Sequence, residues 1–310
     1  MKGKAEYIKY FLSNAPWVVY QRLTKKRKNY KKFCGHKLSL SATNSALKMA
    51  IISGKPFSAI RFGAVELSCL NNHEKIELGL ASTYKQSVRY SMKNNAGFYP
   101  TDDKHLKEYG DILLPALSRI DFLGTSGAHM ENYFYAKYCP QAEPLVYEGF
   151  EPLRGDWVSA LYGKKVLVVS PFSSEIEFQY SRKDKLFAGH PEMCPDFELI
   201  TLTAPLTCAD AKPAVPSFFR SLDLLEEAME RIDFDVMLCG AGAYGQFLCL
   251  KAKSLGKQAI QTGGATQTLF GIMGKRWENR EHVKKWVNEY WIRPYTKPEG
   301  FRKIEGGAYW

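Results

Sequence analysis

Three stretches of this 310-residue chain gather residue types that do chemistry. The first is PFSAIRFGAVELSCL, residues 56–70. Its apolar opening (Phe57, Ala59, Ile60, Phe62) predicts a short buried strand, and its second half predicts a helix with Glu66 in the first turn. Arg61, Gly63 and Glu66 fall at the turn between them, the edge where a parallel sheet presents its ligands. An acid in a first helical turn is also favoured by capping and by the helix dipole, so Glu66 has a purely local reading as well.

The second stretch is CGAGAYGQFLCLKAKSLG, in which Gly240, Gly242 and Gly245 match G-x-G-x-x-G between a strand and a helix. A backbone without Cβ atoms beside a helix N-terminus can approach phosphate oxygens with its N–H groups. A dinucleotide site needs an acid about 20 residues on to meet the ribose. The strand there ends in Ile260, Gln261 and Thr262, with no carboxylate. The alternative is that the glycines only permit close helix–strand packing. The third stretch, TGGATQTLFGIMGKRW, places Gly263 and Gly264 after the next strand, then Thr266 and Gln267, then Lys275 and Arg276. Two such loops on adjacent strands converge on one crevice, where amides and cationic groups would meet a diphosphate. Lys275 and Arg276 also read as ordinary surface charge.

The elements that must position these loops alternate along the chain. SATNSALKMAIISG predicts a helix with start signals and Gly54 as its stop. DDKHLKEYGDILLPALSRI predicts another, followed by the strand DFLGT. GKKVLVVSPF is the clearest strand, and Ser174 with Glu177 predicts a capping box opening EIEFQYSRKDKLF. FELITLTAP, SFFRSLDLLEEAMERI, FDVMLC, a helix over about 243–255 and KQAIQT complete the alternation. Apolar strands alternating with helices predict an α/β fold, a Rossmann-like doubly wound, mostly parallel sheet covered on both faces. No linker or repeat interrupts residues 41–310, which are expected to form one domain.

Composition bounds the setting. The seven cysteines are scattered with no C-x-x-C pair, and the histidines lie far apart, which points to a reduced, cytoplasmic protein without a zinc-type site. No apolar run approaches the roughly 20 residues of a membrane span. The net charge of +11 is concentrated in residues 1–40, which hold eleven Lys/Arg, among them Lys25, Lys26, Arg27 and Lys28, against one acid, Glu6. Tyr7, Tyr10, Phe11, Trp17 and Tyr20 are interleaved with them. A basic aromatic arm suits an anionic membrane surface, and the same residues would serve a nucleic-acid arm or a solvated extension. The near-neutral remainder argues against nucleic acid as partner.

The segments IRFGAVE, PFSSEIEFQYSRKDKLF, the two glycine loops and the terminal IEGGAYW together resemble the GT-D type bacterial glycosyltransferases. The resemblance covers about residues 40–310. It implies a Rossmann-like domain that moves a sugar from a nucleotide-sugar donor to a cell-surface glycan or lipid-linked acceptor. The family pattern is Arg-x-Gly followed by Asp-x-Glu, and here the Asp position is Ala64. In the family that acidic pair is associated with a divalent ion. One carboxylate anchors Mg²⁺ or Mn²⁺ poorly unless substrate oxygens complete the shell, so only a weak, substrate-assisted ion is expected. Arg61 is then expected to stabilise the departing diphosphate and Glu66 to act as base toward the acceptor hydroxyl. Gly63, Gly240, Gly242, Tyr244, Gly245, Gly263, Gly264, Thr266, Gln267, Lys275 and Arg276 are expected on the donor side. The competing expectation is an NAD(P)- or nucleotide-dependent metabolic enzyme using GAGAYG as its phosphate loop.

Overall fold

In the segment Lys165–Ser170, Leu167 and Val169 enter one apolar cluster while Val166 and Val168 enter another. Successive strand side chains point to opposite faces, so a strand apolar at every position must be covered on both. The computed structural model describes residues 2–24, 32–209 and 211–310 and shows that cover. Seven strands, β1 (Phe57–Arg61), β2 (Phe122–Thr125), β3 (Glu143–Val146), β4 (Lys165–Ser170), β5 (Glu198–Thr203), β6 (Val236–Cys239) and β7 (Gln258–Ile260), form one sheet in the order β3-β2-β1-β7-β6-β4-β5. Every pairing is parallel. The expected α/β class and doubly wound sheet are therefore observed.

Helices cover both faces. On one side lie α3 (Ala64–Glu77), α4 (Gln86–Asn94), α5 (Asp103–Ala116), α6 (Glu131–Tyr138), α8 (Phe218–Glu230) and α9 (Tyr244–Ser254). On the other lie α2 (Leu40–Ser53) and α7 (Ser173–Tyr180), with short turns from residues 147–161 and 263–310. Ser39 caps α2 by accepting from the Ala42 amide, and Gly54 ends it in the left-handed region (φ 66°). The expected capping box of α7 is not formed. The helix starts two residues earlier, at Ser173, so Ser174 lies inside it; Ser173 Oγ donates to the Ser170 carbonyl, and Glu177 accepts from the Thr201 hydroxyl. Sequence patterning also missed β3, whose EPLV is short and carries Pro144, a residue tolerated here because β3 is an edge strand.

The described residues before 40 form a helix and a small hairpin. Helix α1 (Lys2–Thr24) lays Tyr7 into the body, where its hydroxyl donates to Asn71 Oδ1 (2.7 Å) and its ring meets Tyr133 edge-on (5.2 Å). Asn14 donates to Asn132 Oδ1 (3.0 Å). A small hairpin, Lys32–Phe33 with His36–Lys37, buries Phe33 against Tyr135. Lys25, Lys26, Arg27, Lys28 and Lys31 lie outside the described residues.

Candidate active site

Sheet order alone places the ends of β1, β7, β6 and β4 side by side. Beyond their carboxyl ends lies a cavity of about 390 Å³, within the range of small-molecule sites. One wall is made of the two glycine loops and the start of α3. The other is made of residues 147–154, which follow β3, and of residues 276–282.

Arg61 is the last residue of β1 and is buried. Its amide donates to Gln261 Oε1 (2.9 Å) and its carbonyl accepts from Gln246 Nε2 (3.1 Å), which fixes its backbone from both sides. Nη2 donates to the Thr262 carbonyl (2.5 Å), and the guanidinium lies 4.3 Å from the centre of the Tyr147 ring. Nε is buried with no hydrogen-bond partner. Among the described residues no carboxylate forms an ion pair with this guanidinium. Glu66 and Glu151 act on it only through space, and a buried charge without a direct ion-pair partner is costly, so the cavity favours an anion beside Arg61.

Glu66 stands one helical turn away, in the first turn of α3 after the N-cap Gly63. Its carboxylate folds back toward Gly63, so close that a Cβ there would meet Oε2 at 2.0 Å. Burial pushes its pKa up, against the opposing pull of its own backbone amide and of Arg61. A carboxylate with a raised pKa is a better proton acceptor than an ordinary glutamate. The carboxylate lies over its own helix start while still lining the cavity.

The glycine loops reach the cavity, but their missing Cβ atoms face protein. A Cβ on Gly240 would meet Thr266 Oγ1 at 2.6 Å and the Gly263 carbonyl at 2.7 Å. On Gly242, at φ +54°, it would meet the Ala96 carbonyl at 2.7 Å. On Gly263 and Gly264 it would meet Arg61 Nη2 and the Tyr309 ring, at 2.0 and 2.1 Å. Thr266 bonds Thr262 Oγ1 and the Gly263 carbonyl, so its hydroxyl is spent internally. Tyr244 lines the cavity, yet its ring stacks on Phe218 in the core (4.3 Å between centroids). What these loops offer a ligand is therefore main chain. The amides of Ala241 and Gly242 have no hydrogen-bond partner among the described residues and border the cavity. Gln267 adds a buried Oε1 with no partner, its Nε2 being held by the Ile272 and Tyr309 carbonyls.

Two expected donor-side residues stay outside. Gly245 lies in the first turn of α9 against Gln261 (2.8 Å from a Cβ to Nε2), where it serves packing. Lys275 is exposed beyond the rim, and its amide donates to the Trp310 carbonyl. Its neighbour Arg276 does reach the cavity, paired with Glu305 and lying over the Tyr309 ring (4.9 Å).

Sequence patterning passed over the opposite wall. Glu151 accepts from His282 Nε2 (3.1 Å) and Arg154 Nε (3.2 Å). Burial pushes its pKa up, but His282, Arg154 and Arg61 outweigh that and hold it below the ordinary value. Glu148 and Arg280 border the cavity with no side-chain partner among the described residues. The available signal was the charged EGFEPLR following the apolar PLV. The terminal EGGAYW is also part of the site. Gly306 and Gly307 turn it back at positive φ, Tyr309 covers Gly264, and Trp310 packs edge-on against Phe172 (5.9 Å).

For the divalent ion implied by the family pattern, the cavity offers Glu148 as a carboxylate without a side-chain partner among the described residues. Glu66 is turned onto its own helix start and Glu151 is taken by cations. Among the described residues, one group of three ligand-type side chains comes within coordinating range, His73, Glu77 and Asp111. It lies outside the cavity and is already bridged by Lys107 between its two acids.

No family model and no curated protein sequence matches the chain. Two solved structures are similar, each 13% identical and each covering 82% of this chain and 98% of its own. One, at a TM-score of 0.45, is described as the "highly conserved domain of unknown function 1792", with "a distinct glycosyltransferase fold". The other, at 0.44, is a selenomethionine-substituted structure of domain of unknown function 1792. At these scores the likeness decides nothing about activity.

Proposed function

We propose that this protein is a glycosyltransferase that moves a sugar from a nucleotide-sugar donor to a cell-surface glycan or lipid-linked acceptor, acting on the cytoplasmic side. The observation that carries the reading is Arg61: a buried guanidinium with an unsatisfied Nε, in direct ion-pair contact with no carboxylate among the described residues, lining a cavity at the carboxyl edge of a parallel sheet. Such a group calls for an anionic ligand, and a departing nucleoside diphosphate supplies one. The motif resemblance around Arg61, Gly63 and Glu66 supports the choice of a sugar donor among phosphorylated ligands.

In this reading the free amides of Ala241 and Gly242 and the start of α3 receive diphosphate oxygens. Arg61 neutralises the charge that develops as the glycosidic bond to phosphate breaks. Glu66 takes the proton from the acceptor hydroxyl as the new bond forms. No step is routed through a metal. The dinucleotide alternative gains nothing from the geometry, since β7 ends in Ile260 followed by Gln261 and Thr262 and offers no acid to a ribose.

The test is thermal stabilisation by UDP, GDP, CMP and NAD in turn. A ligand at 100 times its dissociation constant stabilises by roughly 2.7 kcal/mol. One nucleoside phosphate of the sugar-donor type should raise the melting temperature, and Arg61→Met should abolish that response. A response to NAD alone would overturn the proposal.

A further inference from the structure

Helix α1 uses one face to hold the body and leaves another uncovered. Successive helical residues turn by about 100°, so Tyr7, Tyr10 and Asn14 share the face that meets α3 and α6. Ile8, Leu12, Val19 and Leu23 fall within roughly 60° of one another on the opposite side. Leu12 is 62% exposed, Val19 56% and Leu23 80%. Scattered exposed leucines are ordinary on a protein surface. An apolar row of about 22 Å along one helix, running past the interior Pro16, is not.

The surroundings of the row identify its occupant. Lys4 and Lys9 are exposed and flank it on either side. The first forty residues carry eleven Lys/Arg against one acid, while the rest of the chain is close to neutral. A second copy of the chain would bring the same positive charge face to face, which disfavours self-association through this helix. An apolar row bordered by cations matches an interface of anionic headgroups over acyl chains.

We propose that α1 lies on an anionic bilayer surface, with Ile8, Leu12, Val19 and Leu23 in the acyl boundary and Lys4 and Lys9 among the headgroups. Tyr20, exposed, borders the row and settles at headgroup depth, whereas Phe11 packs on the body against His129 and Lys75. Because Tyr7 is buried and bonded to Asn71 on α3, the helix carries the body in a fixed orientation. The inference stands whatever the cavity binds.

The test is co-sedimentation of the full chain with phosphatidylcholine vesicles, with and without phosphatidylglycerol. Binding to the anionic vesicles that weakens as salt rises is expected. The triple variant Leu12→Gln, Val19→Gln, Leu23→Gln should bind at least about tenfold more weakly, with helix content and the nucleotide response unchanged. Lys4→Gln with Lys9→Gln should remove part of the salt-sensitive share alone. Failure to bind either vesicle, or equal binding to both, would overturn the proposal. So would a wild-type dimer in light scattering that the triple variant converts to monomer, or RNA binding by the chain without lipid preference.

Discussion

The two walls of the cavity differ in how they use their residues. The glycine wall carries the recognisable motif, yet Gly240, Gly242, Gly263 and Gly264 lack side chains because protein atoms occupy the space. The wall from Tyr147 to Arg154 carries no motif, but Glu148, Glu151 and Arg154 put charge into the cavity. A pattern of small residues thus marks where the chain packs tightly. The opposite wall is marked instead by charge, paired in Glu151 with Arg154 and His282, and without a side-chain partner among the described residues in Glu148. Arg61 joins the walls, since its guanidinium reaches from the Thr262 carbonyl to the Tyr147 ring.

The comparison breaks most sharply at Arg61. Arg61→Met should lower transfer by about 10³, the upper end for loss of one preorganised charge stabiliser. Arg61→Lys should recover little, because a point charge cannot both bond Thr262 and lie flat on Tyr147. Steady-state kinetics with a melting curve for each variant decides this, and unchanged donor affinity would move the anion to Arg280 on the far wall.

Gly242→Val should act on stability. The residue combines a left-handed backbone with a carbonyl 2.7 Å from the new Cβ, and the two together should cost about 3 kcal/mol. Denaturant unfolding checks the loss, and calorimetry on the remaining folded protein should show near-normal nucleotide affinity. A stable mutant with weak affinity would return the loop to a cradle in which the side-chain position matters.

Glu66→Gln keeps shape and capping while removing the proton acceptor, so transfer should fall roughly 10²-fold with folding intact. Wild-type turnover would leave Glu66 as a cap.

Smaller effects come from the charged wall. Glu151 is held below the ordinary glutamate pKa, so its contribution to stability is present above the unfolded value, about 4.3. That contribution is lost as pH falls through the lower folded value. Glu151→Gln should therefore lower the melting temperature near neutrality and converge with wild type in acid. Chelation should have the smallest effect: activity in EDTA should stay close to normal. Complete loss restored by Mn²⁺ would show that Glu66 or Glu148 holds an ion with the help of donor phosphates.

Much of this architecture was legible in the sequence because burial on both faces forces continuous apolar runs, as in KVLVVS. Arg61, Gly63 and Glu66 were legible because a strand-to-helix turn is short and local. What stayed hidden depends on distant packing. EPLV is too short to announce a strand until β2 pairs with it, and the charges of EGFEPLR face the cavity only once that strand is in place. Similarly, Ser174 and Glu177 have capping spacing, but the Ser170 carbonyl captures Ser173 and shifts the helix start.

The position of β7 bears on the order in which the molecule can assemble. It is the last strand of the sheet in the chain, and it sits between β1 and β6, joining β3-β2-β1 to β6-β4-β5. The bond from the Arg61 amide to Gln261 spans 200 residues. During synthesis β1 must therefore wait with one edge unpaired while most of the chain is made. An open apolar edge of this kind is an aggregation hazard until it is paired. The cavity cannot exist earlier, because Thr262 and the Gly263 turn arrive with β7. Nascent chains halted before Gln258 should be sticky and inert, and ligand recognition should wait for the terminal EGGAYW that closes the cavity behind the turn.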